Sequence, residues 1–373
     1  MPLPKRRMTR HVHAVMSASL ALLAACTESP SPIAPQDGSA EAASFAAASL
    51  DREVSLPGIA LPSGGTATLV ASVFADERGG PSCGTDGTVI AVSGFTHTAA
   101  TWKPLAEALF DANPRVVCRV VALDLPGHGR SGLPDAIPFG ILTLDDYAAA
   151  LLGAMDQLAA QGITSRTLLA HSQGALVAQM AQERLLAAGT SFRASHGVVA
   201  ATLLAPVPSR EATWSFAESG AAAGVLQGFL VMDDPVLGPH VSVPAAAWPS
   251  LFFTTPGGVP SPTTPSVSDI AASGWVAPEP LYSSLQLVGA PPFNQRPSAR
   301  AGAFALANGT LLSVAAFEHD LLIPPSEVAA VYAHLTGDAT SRAYHVFTGA
   351  EAIHDMHVSS PGTMLGELRG LLR

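Results

Sequence analysis

Apolar residues fall along this chain in short blocks, and the period inside the blocks changes with position. Residues 52–61 and 66–74 alternate apolar with polar positions around Pro62-Ser63-Gly64-Gly65, which predicts an antiparallel hairpin. Thr88 to Ser93 is instead a continuous apolar run, the signature of a strand covered on both faces. A turn, Gly94-Phe95-Thr96-His97, leads to a predicted helix over Trp102–Phe110 and a strand over Val116–Asp124. Thr143 and Asp146 form a capping box for a helix reaching Ala160, with Gly162 just past its end. Thr167–Ala170 is a strand, Ala175–Leu186 a helix and Val198–Ala205 a strand. From about Pro206 to Arg300 the rhythm stops and prolines crowd between apolar patches. A stretch that long without alternation is expected to be a functional insertion such as a lid. Alternation resumes with strand Thr310–Phe317, helix Ser326–Leu335, strand Ala343–Thr348 and helix Pro361–Leu372. Short buried strands alternating with helices predict an α/β domain around a mostly parallel sheet.

The amino terminus follows a different pattern. Lys5, Arg6, Arg7 and Arg10 precede an apolar run, Val15–Ala25, that is too short to span a bilayer as a mature helix. It ends in Leu23-Ala24-Ala25-Cys26, which resembles the lipobox of bacterial lipoproteins. That resemblance implies lipid on Cys26, anchoring to the bacterial cell envelope, and, with Thr27 following the cysteine, sorting to the outer membrane where there is one. The expected organisation is a signal peptide over 1–25, a Ser/Ala/Pro-rich tether over 26–50, a core over 51–206 and 301–373, and a lid over 207–300. Of 373 residues, 48% are hydrophobic, enough for a substantial core, and 13% are charged. Formal charge is −10, and loss of the four basic residues in 1–25 leaves 15 basic against 29 acidic, a net −14. Without a basic face, nucleic acid is excluded as a partner.

Candidate chemistry centres on Ala170-His171-Ser172-Gln173-Gly174, a strand-to-helix turn with small residues two before and two after a serine. That is the layout of a nucleophile elbow. Ser44, Ser82, Ser219 and Ser341 satisfy the same spacing, but Ser44 lies in the tether, Ser219 in the insertion, and Ser82 and Ser341 precede strands. A serine nucleophile needs a histidine base, and the base a carboxylate. Glu318-His319-Asp320 follows one late strand, and His354-Asp355-Met356-His357 follows the last. In a parallel sheet these strand ends share one edge.

Ser93-Gly94-Phe95 with Trp102, Asp124-Leu-Pro-Gly-His-Gly-Arg-Ser131, the elbow, and Asp320-Leu-Leu-Ile-Pro324 occur in the order seen in α/β-hydrolase fold proteins. Residues ~50–373 resemble that family's lid-bearing esterase/lipase-like group. The resemblance implies Ser172 as nucleophile, His354 as base, Asp320 as acid, and the N–H groups of Phe95 and Gln173 as the oxyanion hole. It departs from the family pattern at Ser93, Ala170 and Ile353, where the family has His, Gly and Gly. The strands beside Cys83 and Cys118 become neighbours in that fold, so a Cys83–Cys118 disulfide is expected if Cys26 carries lipid. Such a bond contributes ~3–4 kcal/mol by constraining the unfolded chain.

His357 stays open as an alternative base and Glu318 as an alternative acid, while His171, His319 and His128 read as loop packing. No dinucleotide fingerprint, phosphate loop or zinc-spaced ligand set accompanies them, so no cofactor or metal is expected. The expected activity is hydrolysis of a small, apolar carboxylic ester. Other chemistry on the same triad (lactone, thioester, C–C or peptide cleavage, acyl transfer) and a non-catalytic surface-binding lipoprotein are the alternatives.

Overall fold

Two antiparallel strands, β1 (Ser49–Ala60) and β2 (Thr66–Ala75), form the predicted hairpin at one edge of an eight-stranded sheet. The computed structural model describes residues 49–76, 87–112, 117–289, 296–307, 309–333 and 342–371. The chain divides into two units, Met1–Ser44 and Phe45–Arg373; the expected signal peptide, Cys26 and nearly all of the tether lie outside the described residues. Among the described residues, no helix is long and apolar enough to cross a membrane.

Beyond the hairpin come β3 (Thr88–Val92), helix α1 (Lys103–Asp111), β4 (Arg119–Asp124), α2 (Leu144–Ala160), β5 (Thr167–His171), α3 (Gln173–Ala187) and β6 (Ala200–Leu204). Three tiny strands follow, β7 (Leu230–Val231), β8 (His240–Val241) and β9 (Glu279–Pro280). The chain closes with β10 (Leu311–Phe317), α4 (Pro325–Ala333), β11 (Arg342–Phe347) and α5 (Pro361–Leu371). The large sheet runs β1-β2-β4-β3-β5-β6-β10-β11, parallel from β4 onward. This is the α/β-hydrolase fold.

Continuous apolar runs produce this arrangement. Every residue of β3, β5 and β6 is buried, which only a sheet covered on both faces permits. The capping box of α2 forms as expected, with Thr143 Oγ1 accepting from Asp146 N–H and Asp146 from Thr143 N–H. β4 begins at Arg119, later than the expected Val116, and short helices such as Phe192–His196 and Met356–Ser359 carry too few residues to show a period.

From β3 the chain steps one way to β4 and then back across to β5. Right-handed crossovers therefore place α1 on one face of the sheet and α2 on the other. That reversal opens a crevice beyond the carboxyl ends of β3 and β5, where such sheets bind ligands. Segment 207–300 contains β7, β8 and β9, an antiparallel ribbon, plus short helices. Its Val243, Trp248, Phe252 and Phe253 share an apolar cluster with Ile353 and Val358. Cys118, just before β4, is disulfide-bonded; Cys83, its expected partner, lies outside the described residues.

Candidate active site

β5 delivers the chain to the crevice and α3 leaves at once, so one residue must absorb the whole change of direction. Ser172 does so at φ 53°, ψ −122°, a conformation L-residues rarely adopt. Such a residue costs about 1–3 kcal/mol and persists because its surroundings hold it. Ser172 N–H donates to Leu204 O at 2.9 Å. A Cβ on Gly174 would stand 2.3 Å from Ser93 O and 2.7 Å from Val92 O, so only glycine lets α3 start this close to β3. Gly94 is similarly constrained, its absent Cβ falling 3.0 Å from Ser172 Cβ.

Ser172 Oγ lies 3.0 Å from His354 Nε2, and His354 Nδ1 lies 2.8 Å from Asp320 Oδ2. Asp320 is oriented by its own turn, Oδ1 accepting from the N–H groups of Leu322 and Ile323 at 2.8 and 2.9 Å. All three side chains are buried. Burial alone would push the His354 imidazolium down. The Asp320 charge and hydrogen bond, aided by the Asp355 charge, outweigh burial and hold its pKa above the ordinary value. The structure thus joins Ser172, Asp320 and His354, and not the alternatives. Glu318 points to Gly349 N–H, from which it accepts at 2.9 Å. His357 packs its ring 4.8 Å from Trp102, and burial, with His97 and His354 nearby, pushes its pKa well below the ordinary value. Ile353, where the family pattern has glycine, is fully buried in the cluster shared with the insertion.

Phe95 stands in the turn after β3 and lines the same pocket as Ser172, and Gln173 opens α3. Free N–H groups at a helix start carry partial positive charge, which favours an anion there. The loop after β4 braces this arrangement. Asp124 accepts from Ala99 N–H at 2.6 Å and Arg130 N–H at 3.0 Å, while Ser131 Oγ donates to Asp124 O. Gly129, at φ 50°, leaves no room for a Cβ beside the Asp124 carboxylate.

Two buried clusters escaped the sequence reading. Behind the triad, His97 Nε2 lies 2.8 Å from Asp355 Oδ2, and His171 Nε2 donates to His354 O at 3.0 Å. His97, His171 and Asp355 bring ligand-type atoms within 4.8 Å of one another. The hydrogen bonds just given already engage His97 Nε2, Asp355 Oδ2 and His171 Nε2, so the cluster works as a brace for the His354 loop. The second cluster surrounds Glu279, a fully buried carboxylate in β9 paired with His128 at 2.9 Å. Asp355 was legible only as the neighbour of His354. Glu279, between two prolines in an aperiodic stretch, gave no signal.

An open pocket reaches Ser172. Its walls include Phe95, Trp214, Leu226, Leu251, Phe252 and Leu322, and among the described residues Ser172 is the one polar side chain in the lining. Phe252 also lies nearly parallel to the His354 ring, centroids 6.0 Å apart.

A strand-turn-helix serine at a topological switch point, with His and Asp reaching it from later strands, is the architecture of an α/β hydrolase. The family model of the alpha/beta hydrolase family matches residues 89–365, and the chain belongs to that family. Among solved structures it is similar to a thermophilic esterase from Thermogutta terrifontis, at 20% identity and TM-score 0.55 over 86% of this chain and 98% of that one. An esterase from Rhodococcus sp. ECU1013 aligns at 18% identity and TM-score 0.52, over 85% and 98%. A membrane phospholipase A, described as a bacterial virulence factor, aligns at 16% identity and TM-score 0.53, over 86% and 85%. At such identities the likeness is one of fold. No curated protein matches the sequence.

Proposed function

We propose that this protein is a serine hydrolase that cleaves carboxylic esters of apolar acids through an acyl-enzyme. The reading is carried by one observation: a buried Ser172–His354–Asp320 hydrogen-bonded chain opens into a pocket whose other lining side chains, among the described residues, are all apolar. In the first half-reaction His354 Nε2 takes the Ser172 proton as Oγ attacks the ester carbonyl. Asp320 fixes the imidazole tautomer and stabilises its charged form. The carbonyl oxygen, now negative, is held by the N–H groups of Phe95 and Gln173, each such donor contributing about 3 kcal/mol to the transition state. His354 then protonates the departing alkoxide, and water repeats the sequence on the acyl-enzyme.

The pocket discriminates by apolar burial, about 0.8 kcal/mol per methylene. Segment 207–300, which supplies Trp214, Leu226, Leu251 and Phe252 to the walls, acts in this reading as the lid. Lipid attachment at Cys26 would hold the enzyme to the cell envelope. The test is a series of p-nitrophenyl esters of increasing acyl length, assayed with the wild type and Ser172→Ala. kcat/KM is expected to climb about threefold to fourfold per added methylene until the pocket is full, and to vanish in Ser172→Ala. A flat profile would overturn the apolar-acyl assignment, and retained turnover in Ser172→Ala the nucleophile.

A further inference from the structure

Glu279 belongs to the insertion, yet its carboxylate is wholly buried beside the elbow. Four donors converge on it. Oε1 accepts from Gln173 Nε2 and from Ser283 Oγ, each at 2.8 Å. Oε2 accepts from His128 Nε2 at 2.9 Å and from the backbone N–H of Thr96 at 3.4 Å. Gln173 and Thr96 come from the two sides of the crevice: Gln173 provides one oxyanion N–H itself, and Thr96 directly follows Phe95, the other.

The backbone around Glu279 reinforces these bonds. Ala277 N–H donates to Thr96 O at 2.8 Å, Thr98 N–H donates to Trp275 O at 2.9 Å, and Thr98 Oγ1 donates to Gly274 O at 2.6 Å. Segment 274–279 therefore runs as a short antiparallel partner of the turn that carries Phe95. Thr96 sits at φ 59°, a strained value for a β-branched residue, and these contacts hold it there. A carboxylate this close to a developing oxyanion would oppose catalysis unless its charge were answered. His128, with which it forms a buried pair, faces it directly, and Tyr147 packs against the His128 ring at 5.6 Å.

We infer that Glu279 is a positioning residue for the oxyanion hole: it clamps the Phe95 turn and the Gln173 helix start in one frame, so that the insertion completes the catalytic geometry as well as lining the pocket. This rests on the nucleophile and oxyanion roles proposed above. A misplacement of about 1 Å in such a frame costs on the order of a hundredfold in rate. Because both donors act on the tetrahedral state, the loss falls on kcat rather than on ester binding.

The experiment compares wild type with Glu279→Gln and, in case that variant fails to fold, Gln173→Met, which severs one limb and keeps the His128 pair. Active sites are counted by fluorophosphonate titration, so that kcat refers to folded enzyme. Affinity is then measured for an apolar trifluoromethyl ketone, which forms a tetrahedral adduct with the serine. Both variants are expected to lose about tenfold to a hundredfold in kcat. Trifluoromethyl ketone affinity should fall by a similar factor, with KM within about twofold. Unchanged kcat and ketone affinity in the folded variants, with the wild type active, would overturn the inference. So would a loss confined to KM or to the number of active sites. A wild type that neither turns over esters nor labels at Ser172 would instead overturn the reading on which the inference rests.

Discussion

Replacing Gly174 by alanine adds one methyl group at the point where α3 passes nearest β3. The new Cβ would meet Ser93 O at 2.3 Å and Val92 O at 2.7 Å, both backbone atoms with no rotamer to yield. Carbon and carbonyl oxygen normally approach no closer than about 3.3 Å, so the helix start must retreat by roughly 1 Å. Ser172 stands at the N-cap of that helix and Gln173 opens it, while Phe95 lies two residues beyond Ser93 in the turn after β3. The retreat thus widens the gap between the two halves of the proposed oxyanion hole and lengthens the reach from Ser172 to His354. The expected cost is about a hundredfold in kcat/KM, equal to about 2.7 kcal/mol of transition-state stabilisation. Overpacking should also cost about 1–3 kcal/mol in stability. Gly162→Ala is the control: that glycine is also unusual, at φ +76°, but nothing lies within 4 Å of its added Cβ. It should lose stability through backbone strain alone and keep its activity. Ester kinetics normalised by active-site titration, with thermal melts of both variants, separate the effects. If Gly174→Ala keeps kcat/KM within about twofold of wild type, the close approach of α3 to β3 is not what sets the catalytic distance, and the reasoning fails.

Asp320→Asn should lower kcat by about 10⁴-fold by presenting the wrong imidazole tautomer, whereas His357→Gln should keep kcat within about tenfold, because His357 faces Trp102 and not Ser172. Equal losses in the two would reassign the base. The base must be neutral to accept the serine proton, and His354 is raised above its ordinary value by Asp320; kcat/KM should therefore fall as pH drops through a midpoint above about 6.5. A midpoint below that in a pH-rate profile would contradict the pairing. The buried Glu279–His128 pair predicts a stability window: the raised His128 contributes below about pH 6.5 and its share is lost as pH rises through its folded value, while the lowered Glu279 contributes above about pH 4.5 and its share is lost as pH falls. His128→Gln, which leaves the carboxylate unpaired, should lose about 3–5 kcal/mol in urea unfolding at neutral pH; a loss under about 1 kcal/mol would show that the remaining donors satisfy Glu279.

Much of this was legible because parallel strands buried on both faces write themselves as continuous apolar runs. Thr88–Ser93, Thr167–Ala170 and Thr310–Phe317 each predict a strand to within two residues, and chain order then places Ser172, Asp320 and His354 at one edge. Glu318 and His357 were open rivals for a physical reason: a spacing of two or three residues is within the freedom of a loop. Backbone contacts decide it, the Leu322 and Ile323 N–H groups holding Asp320 inward while Gly349 draws Glu318 away. The insertion was legible as a break in rhythm and no further, because its helices are short and its strands two residues long. Glu279 depends wholly on pairing with positions 151 and 106 residues away. No local pattern encodes such a contact.

The central claim, that Ser172 is a nucleophile activated through His354, is tested most directly by labelling intact protein with a fluorophosphonate and locating the adduct by peptide mass spectrometry. The expected result is a single stoichiometric adduct on Ser172, lost in Ser172→Ala and formed far more slowly in His354→Ala. Folded protein that takes no label, or takes it on another serine, would contradict the claim.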